Sequence, residues 1–196
     1  MHRIALALAA LALPLAACSE PAPPADPPPL EGASLGGPFE LVGSDGQPVR
    51  WSDFDGMYRT VYFGFTNCPD ICPTDVQRTA QGLRQFAEEN PEAAAKIQPI
   101  FVSVDPARDT PEKVGEFAAA FHERLVGLTG SKEQLDEAAA AFGASYSLDE
   151  PDERGAYNVN HTTTTILYGP AGEPIALIPT DEGADAVAAE LAKWVQ

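Results

Sequence analysis

Positive charge is scarce in this chain. Lys and Arg number 12 against 29 Asp and Glu, a net charge of −17. That balance argues against a basic patch for nucleic acid or anionic lipid. It suits a soluble domain that meets cationic or metal-carrying partners. Cysteine is just as sparse, with Cys18, Cys68 and Cys72 alone. Three are too few for the disulfide framework of a small secreted domain. Histidine is limited to His2, His122 and His161. A long hydrophobic run is missing too: the apolar stretch at the start is short for a membrane span and is interrupted by Pro14. There is no internal repeat and no second domain. The 196 residues are enough for one domain with a real core.

What is present begins with MHRIALALAALALPLAAC, a basic start with His2 and Arg3 followed by the apolar run. Residues 1–17 read as a secretory signal. The ending Leu15-Ala16-Ala17-Cys18 resembles the bacterial lipobox, in which the cysteine becomes the lipidated first residue of the mature protein. Cys18 is therefore expected to carry a lipid anchor, with the domain outside the cytoplasm. Residues 18–38 are proline-rich without apolar periodicity and are expected to form an extended, semi-rigid spacer. The folded domain is expected over residues 39–196.

Within it, residues 39–42 and 48–51 flank a Gly-Ser-Asp-Gly-Gln turn and read as a hairpin. Residues 60–65 are a buried strand. Val76, Ala80, Leu83 and Ala87 repeat at helical spacing, with Pro73 suiting the helix start and Asp75 its positive dipole end. Asn90-Pro91 should end that helix. Residues 96–104 form a second buried strand. Thr110-Pro111 opens a helix with Val114, Phe117, Ala118 and Phe121 inward, and residues 125–128 form a short strand. Ser131 and Gln134 form a capping-box pattern before Leu135, Ala138, Ala139 and Phe142, and Gly143 is a helix stop. Residues 143–160 read as a long polar loop, of the kind that is functional or mobile. Two strands around Gly169-Pro170-Ala171-Gly172 and a last helix over residues 183–195 complete the chain. A hairpin, then β-α-β-α, an extra strand and helix, then β-β-α is a thioredoxin-like α/β layout with an N-terminal β-hairpin and an inserted strand and helix.

The chemistry concentrates in TVYFGFTNCPDICPT, residues 60–74. Cys68 leaves a strand and Cys72 abuts a helix start. A loop this short removes little unfolded-state entropy when closed, so a structural staple has little to contribute. Proximity to the positive end of a helix favours thiolate at both positions. Thiolates are soft ligands for Cu(I), zinc or iron–sulfur clusters, but two alone make a poor specific site. His161, before a strand that starts close to the cysteine turn, takes the place of the usual cis-proline and is the candidate third ligand. His122, beside Glu123 and Arg124, reads as an exposed surface residue. Asp105, Arg108 and Asp109 read as a helix cap and an ion pair, or as support for a metal site or a docking surface. Asp70, between the cysteines, is expected to face solvent, where it is placed to tune the thiolates from beyond the ligand set or to contact a partner. A thiol–disulfide oxidoreductase with Cys68 as attacking thiol remains open at this point, although CxxxC departs from the efficient CxxC pair. Neither cysteine has the threonine three residues upstream that a peroxiredoxin would supply.

Three stretches carry a resemblance: GFTNCPDICPT (residues 64–74), SVDPARDTP (103–111) and YNVNHTTTTILYGPAGE (157–173). With them the chain resembles the Sco/SenC family, the copper-delivery proteins of cytochrome c oxidase assembly, over residues 39–196. The resemblance implies one copper, Cu(I) or Cu(II), held by Cys68, Cys72 and His161, the wider cysteine spacing letting both sulfurs bind one ion with the histidine. It also implies as partners the copper-binding subunit of cytochrome c oxidase and another periplasmic copper carrier. The protein would be a monomer tethered by lipid to the cytoplasmic membrane, facing the periplasm. The resemblance leaves room for a second role, the reduction of partner cysteines.

Overall fold

The computed structural model describes residues 26–196. The leader and Cys18 lie outside the described residues. The strands are β1 (Glu40–Gly43), β2 (Pro48–Arg50), β3 (Tyr58–Gly64), β4 (Ile97–Ser103), β5 (Val126–Thr129), β6 (Tyr146–Leu148), β7 (Val159–His161), β8 (Thr165–Tyr168) and β9 (Pro174–Ile178). The helices are α1 (Ile71–Glu89), α2 (Pro91–Ala94), α3 (Pro111–Phe121), α4 (Lys132–Ala141) and α5 (Ala184–Trp194).

Seven strands form one sheet in the order β2-β1-β5-β4-β3-β8-β9. β3, β4 and β5 run parallel, as their intervening helices require, while β1 and β8 join on either side antiparallel. Alternate residues of β3 serve two layers. Tyr62 stacks on Phe101 beneath α1 and α3, and Phe63 packs on Phe142 at the end of α4, ring centroids 5.8 Å apart. Helices therefore cover both faces, and β3 can be apolar on both sides. A second cluster joins Leu83 and Phe86 of α1 to Val187 and Leu191 of α5. Gly82 lets these two helices meet: a Cβ there would fall 2.5 Å from Val187.

The local signals act as their chemistry requires. Ser131 and Gln134 cap α4 reciprocally, the Gln134 N–H donating to Ser131 Oγ and the Ser131 N–H to Gln134 Oε1. Gly143 ends it at φ +68°. Thr110, not Asp109, caps α3, its Oγ1 accepting from the Lys113 N–H. α1 starts at Ile71, so Pro73 stands third in the first turn, where its missing N–H costs nothing.

Two segments depart from the sequence reading. From Leu30 onward the spacer is docked: the Leu30 N–H donates to Ile175 O at 3.0 Å and the Gly36 N–H to Ala141 O at 2.8 Å. Leu30 and Leu35 supply the apolar contacts that a proline-rich tract otherwise lacks. The polar stretch 143–160 is not all loop. β6 and β7 pair antiparallel within it, Tyr146 opposite His161, as a ribbon separate from the main sheet.

Candidate metal centre

β3 runs out at Gly64 on the edge of the site, and no larger residue fits there. A Cβ at Gly64 would lie 2.9 Å from Tyr62, 3.0 Å from Cys72 Sγ and 3.1 Å from Phe101. The chain then turns through residues 65–70 and enters α1. Cys68 is half-buried in the turn, Cys72 is fully buried in the first turn of the helix, and both are free thiols. The Cys72 N–H donates to Cys68 Sγ at 3.3 Å, so an otherwise unpaired helix N–H serves the more exposed sulfur.

His161 comes in on the last residue of β7, ahead of β8 rather than at its start. Its Nδ1 lies 3.0 Å from Thr162 O, and a carbonyl can only accept, so Nδ1 carries the proton. Nε2 is thereby left with a lone pair, 3.0 Å from Cys72 Sγ. Phe65 and Tyr62 meet the imidazole edge-on at 5.7 and 6.0 Å and fix its plane. The potential ligand atoms of Cys68, Cys72 and His161 all lie within 4.8 Å of one another. Two sulfurs and one nitrogen thus converge on a volume the size of a metal ion.

The electrostatics correct one expectation. Helix proximity predicts thiolate character at both cysteines. At Cys72 burial opposes it, and the adjacent Cys68 sulfur adds to the effect, so this thiol is pushed up. Behind it lie two groups the sequence reading did not connect. Tyr62 OH donates to Asp75 Oδ2 at 3.2 Å, and burial pushes both groups up. Asp75 faces this buried tyrosine and does not sit free at the dipole end.

The SVDPARD stretch supports the site from below. Asp109 is fully buried and accepts from the Thr66 N–H (2.8 Å), Thr66 Oγ1 (2.6 Å) and Ser103 Oγ (2.5 Å), pinning the start of the cysteine turn. Asp105, also fully buried, pairs with Arg108 Nε and accepts from Tyr157 OH at 2.6 Å. Asp70 is exposed, as expected. His122 is not: it is half-buried at the end of α3, beside the cavity lined by Val76, Ala80 and Leu125, and Nδ1 accepts from the Arg124 N–H at 3.0 Å. It lies apart from the cysteines. The helix ends at Phe121, and the extended backbone of His122 turns the ring back into the protein.

Fold and site together define a thioredoxin-like domain in which a CxxxC turn and one histidine converge as a candidate sulfur–nitrogen metal centre. The chain belongs to the SCO1/SenC family, whose model matches residues 27–196. It is 35% identical over 158 residues to human "Protein SCO1 homolog, mitochondrial", covering 81% of this chain and 52% of that one. With Protein SenC of Rhodobacter capsulatus it shares 38% identity over 138 residues, 70% of this chain and 60% of the relative. The chain spans about half the length of the mammalian SCO1 relatives it matches. Among solved structures it is similar to Arabidopsis thaliana ScoI with copper bound, at a TM-score of 0.75 and 33% identity over 81% of this chain and 96% of that one. Yeast Sco1 with copper bound gives a TM-score of 0.74 and 28% identity, covering 82% of this chain and 88% of that one. Among the described residues no helix is long and apolar enough to cross a membrane.

Proposed function

We propose that this protein is a membrane-tethered copper metallochaperone that assists assembly of the CuA site of cytochrome c oxidase. The observation that carries the reading is the convergence of Cys68, Cys72 and His161 within 4.8 Å, with the imidazole tautomer that leaves Nε2 free. Two thiolates suit Cu(I), and the imidazole makes Cu(II) tolerable, so the three can hold copper in either state. Copper is cargo here: it is taken from a periplasmic carrier and passed to the copper-binding oxidase subunit. The acidic surface suits encounter with cationic or metal-carrying partners. In this reading Cys18 carries the lipid and the domain faces the periplasm from the cytoplasmic membrane; mass spectrometry of the mature N-terminus tests the anchor.

The test of function is an anaerobic titration of the reduced protein with Cu(I) against a competing chelator, beside His161→Ala. One tight copper per chain, weakened by the substitution, is the expected result. Weak, histidine-independent binding would move the function to thiol–disulfide exchange. One feature favours that second reading: Cys68 is the more accessible sulfur and receives the Cys72 N–H. Its thiolate would attack a partner disulfide, and Cys72 would then displace the partner. The partner leaves as a dithiol and Cys68–Cys72 is left oxidised.

A further inference from the structure

Seven residues, Ser103 to Asp109, touch both halves of the metal centre. Asp109, which also accepts from Ser103 Oγ, holds Thr66, and with it the turn that bears Cys68 and Cys72. Between Ser103 and Asp109, Asp105 and Arg108 hold Tyr157, four residues before His161. Arg108 Nη1 donates to Tyr157 O at 2.8 Å, its guanidinium lies 3.8 Å from the Tyr157 ring centroid, and Tyr157 OH donates to Asp105 Oδ1 at 2.6 Å.

The burial alternation explains why this reaches His161. Val159 and His161 share one face of β7, and Tyr157, two residues before the strand, continues the alternation of inward and exposed residues. Tyr157 seats on Asp105 and Arg108, Val159 is buried at 3% exposure, and His161 meets Cys72. Asn158 and Asn160, between them, are exposed. The histidine arm therefore sits on the domain at three points in a row. Tyr157 is the outermost and polar one, and residues 149–156 beyond it are exposed. Tyr157 lies at a solvent edge, so water can enter to replace its bonds to Asp105 and Arg108 as it lifts, whereas the buried Val159 gains no partner on exposure.

We propose that Tyr157, held by Asp105 and Arg108, is the positioning latch for His161, and that its opening is the step by which the bound metal loses its nitrogen ligand. The inference rests on the copper reading of the site. Opening lifts the arm from its outer end and withdraws Nε2, while Asp109 keeps the cysteine turn in place. The ion is left on two sulfurs, an incomplete set that an incoming donor set can complete. Asp109 thus governs both cysteines, and the Asp105–Arg108 seat of Tyr157 governs the histidine alone.

The experiment uses the reduced, Cu(I)-loaded protein and an excess of a high-affinity Cu(I) chelator. Release is timed by stopped flow for the parent, Tyr157→Phe, His161→Ala and the double variant. Tyr157→Phe keeps the ring over Arg108 and removes one hydroxyl. It is expected to speed release about tenfold, the lower range for groups that orient a metal ligand. In the His161→Ala background it should have no further effect, and the Cys68–Cys72 reduction potential should not move. Equal acceleration in both backgrounds, or none in either, overturns the proposal, since a general loosening would act regardless of the histidine. A metal-free arm separates this from failure of the copper reading. Hydrogen exchange of the unloaded protein should quicken at residues 157–161 in Tyr157→Phe and stay unchanged at residues 65–72. If the parent binds no copper, the copper reading falls, and the latch stands or falls on that exchange pattern.

Discussion

The His161 ring commits Nδ1 to the Thr162 carbonyl and turns Nε2 toward Cys72, so His161→Ala removes the nitrogen donor and leaves both sulfurs in place. Cu(I) affinity is expected to fall by more than about a hundredfold, beyond the loss typical of a merely orienting group. The Cys68–Cys72 disulfide should still form, as counted by thiol titration before and after oxidation. Gly64 makes a second expectation at this scale. Alanine there must displace Tyr62, Phe101 or the Cys72 sulfur, which lie 2.9–3.1 Å from its Cβ. Overpacking of this kind costs about 1–3 kcal/mol, read as a lower urea midpoint, and copper affinity should drop with it. Cys68, Cys72 and His161 were legible in the sequence because chemistry-bearing residues are so few. The burial of Cys72 was not, since the helix start that favours its thiolate is written locally and the core that opposes it is assembled from β3 and β4.

Elements with strong periodicity, caps or apolar runs were legible where they stand: the capping box of α4, the Thr110-Pro111 start of α3, the apolar run that buries β3 on both faces. The β6–β7 ribbon was not. Each of its strands has three residues, and its pairing partner lies across an exposed polar stretch. The exposure of His122 was misread for a similar reason. His122 follows the last helical residue, and its side-chain direction depends on where the helix stops. Burial, with Arg84 and Arg124 nearby, holds its pKa below the ordinary value, against a smaller opposing effect of Glu123. Protonation would also break the bond that Nδ1 accepts from the Arg124 N–H. A histidine whose folded pKa is depressed contributes stability above its unfolded pKa, and that contribution is lost as pH falls through the folded value. The parent should therefore lose stability on acidification from neutral pH, and His122→Gln should flatten that part of the profile, measured by urea denaturation across the range. Copper affinity near neutral pH should be unaffected. An altered metal site would mean that α3 and the centre are coupled.

The molecule as a whole follows the order of its elements. Strands that alternate with helices must run parallel, and the closing strand-strand-helix must return antiparallel, so β3-α1-β4 and β8-β9-α5 could be placed before any contact was known. The docking of residues 30–38 could not, because Leu30 and Leu35 are isolated apolar residues in a proline-rich tract, and isolated apolar residues are also common on surfaces. The site is where these long-range consequences meet. Cys68 and Cys72 come from the first βα turn, the Asp105–Asp109 stretch from the end of β4, and His161 from a ribbon 89 residues after Cys72 in the chain. An ion bound at that meeting point binds the folded chain and not the unfolded one, so loading should stabilise the entire domain. At a free copper concentration of a hundred times Kd the gain is about 2.7 kcal/mol. For a domain of this length that raises the thermal midpoint by roughly 5–10 °C. Differential scanning calorimetry of the reduced protein, with copper held by a chelator buffer, should show that rise and its reversal when excess chelator strips the metal. Asp109→Ala should diminish the shift, because it frees the cysteine turn from β4. A full shift in that variant would mean that the two sulfurs find each other without the strut beneath them.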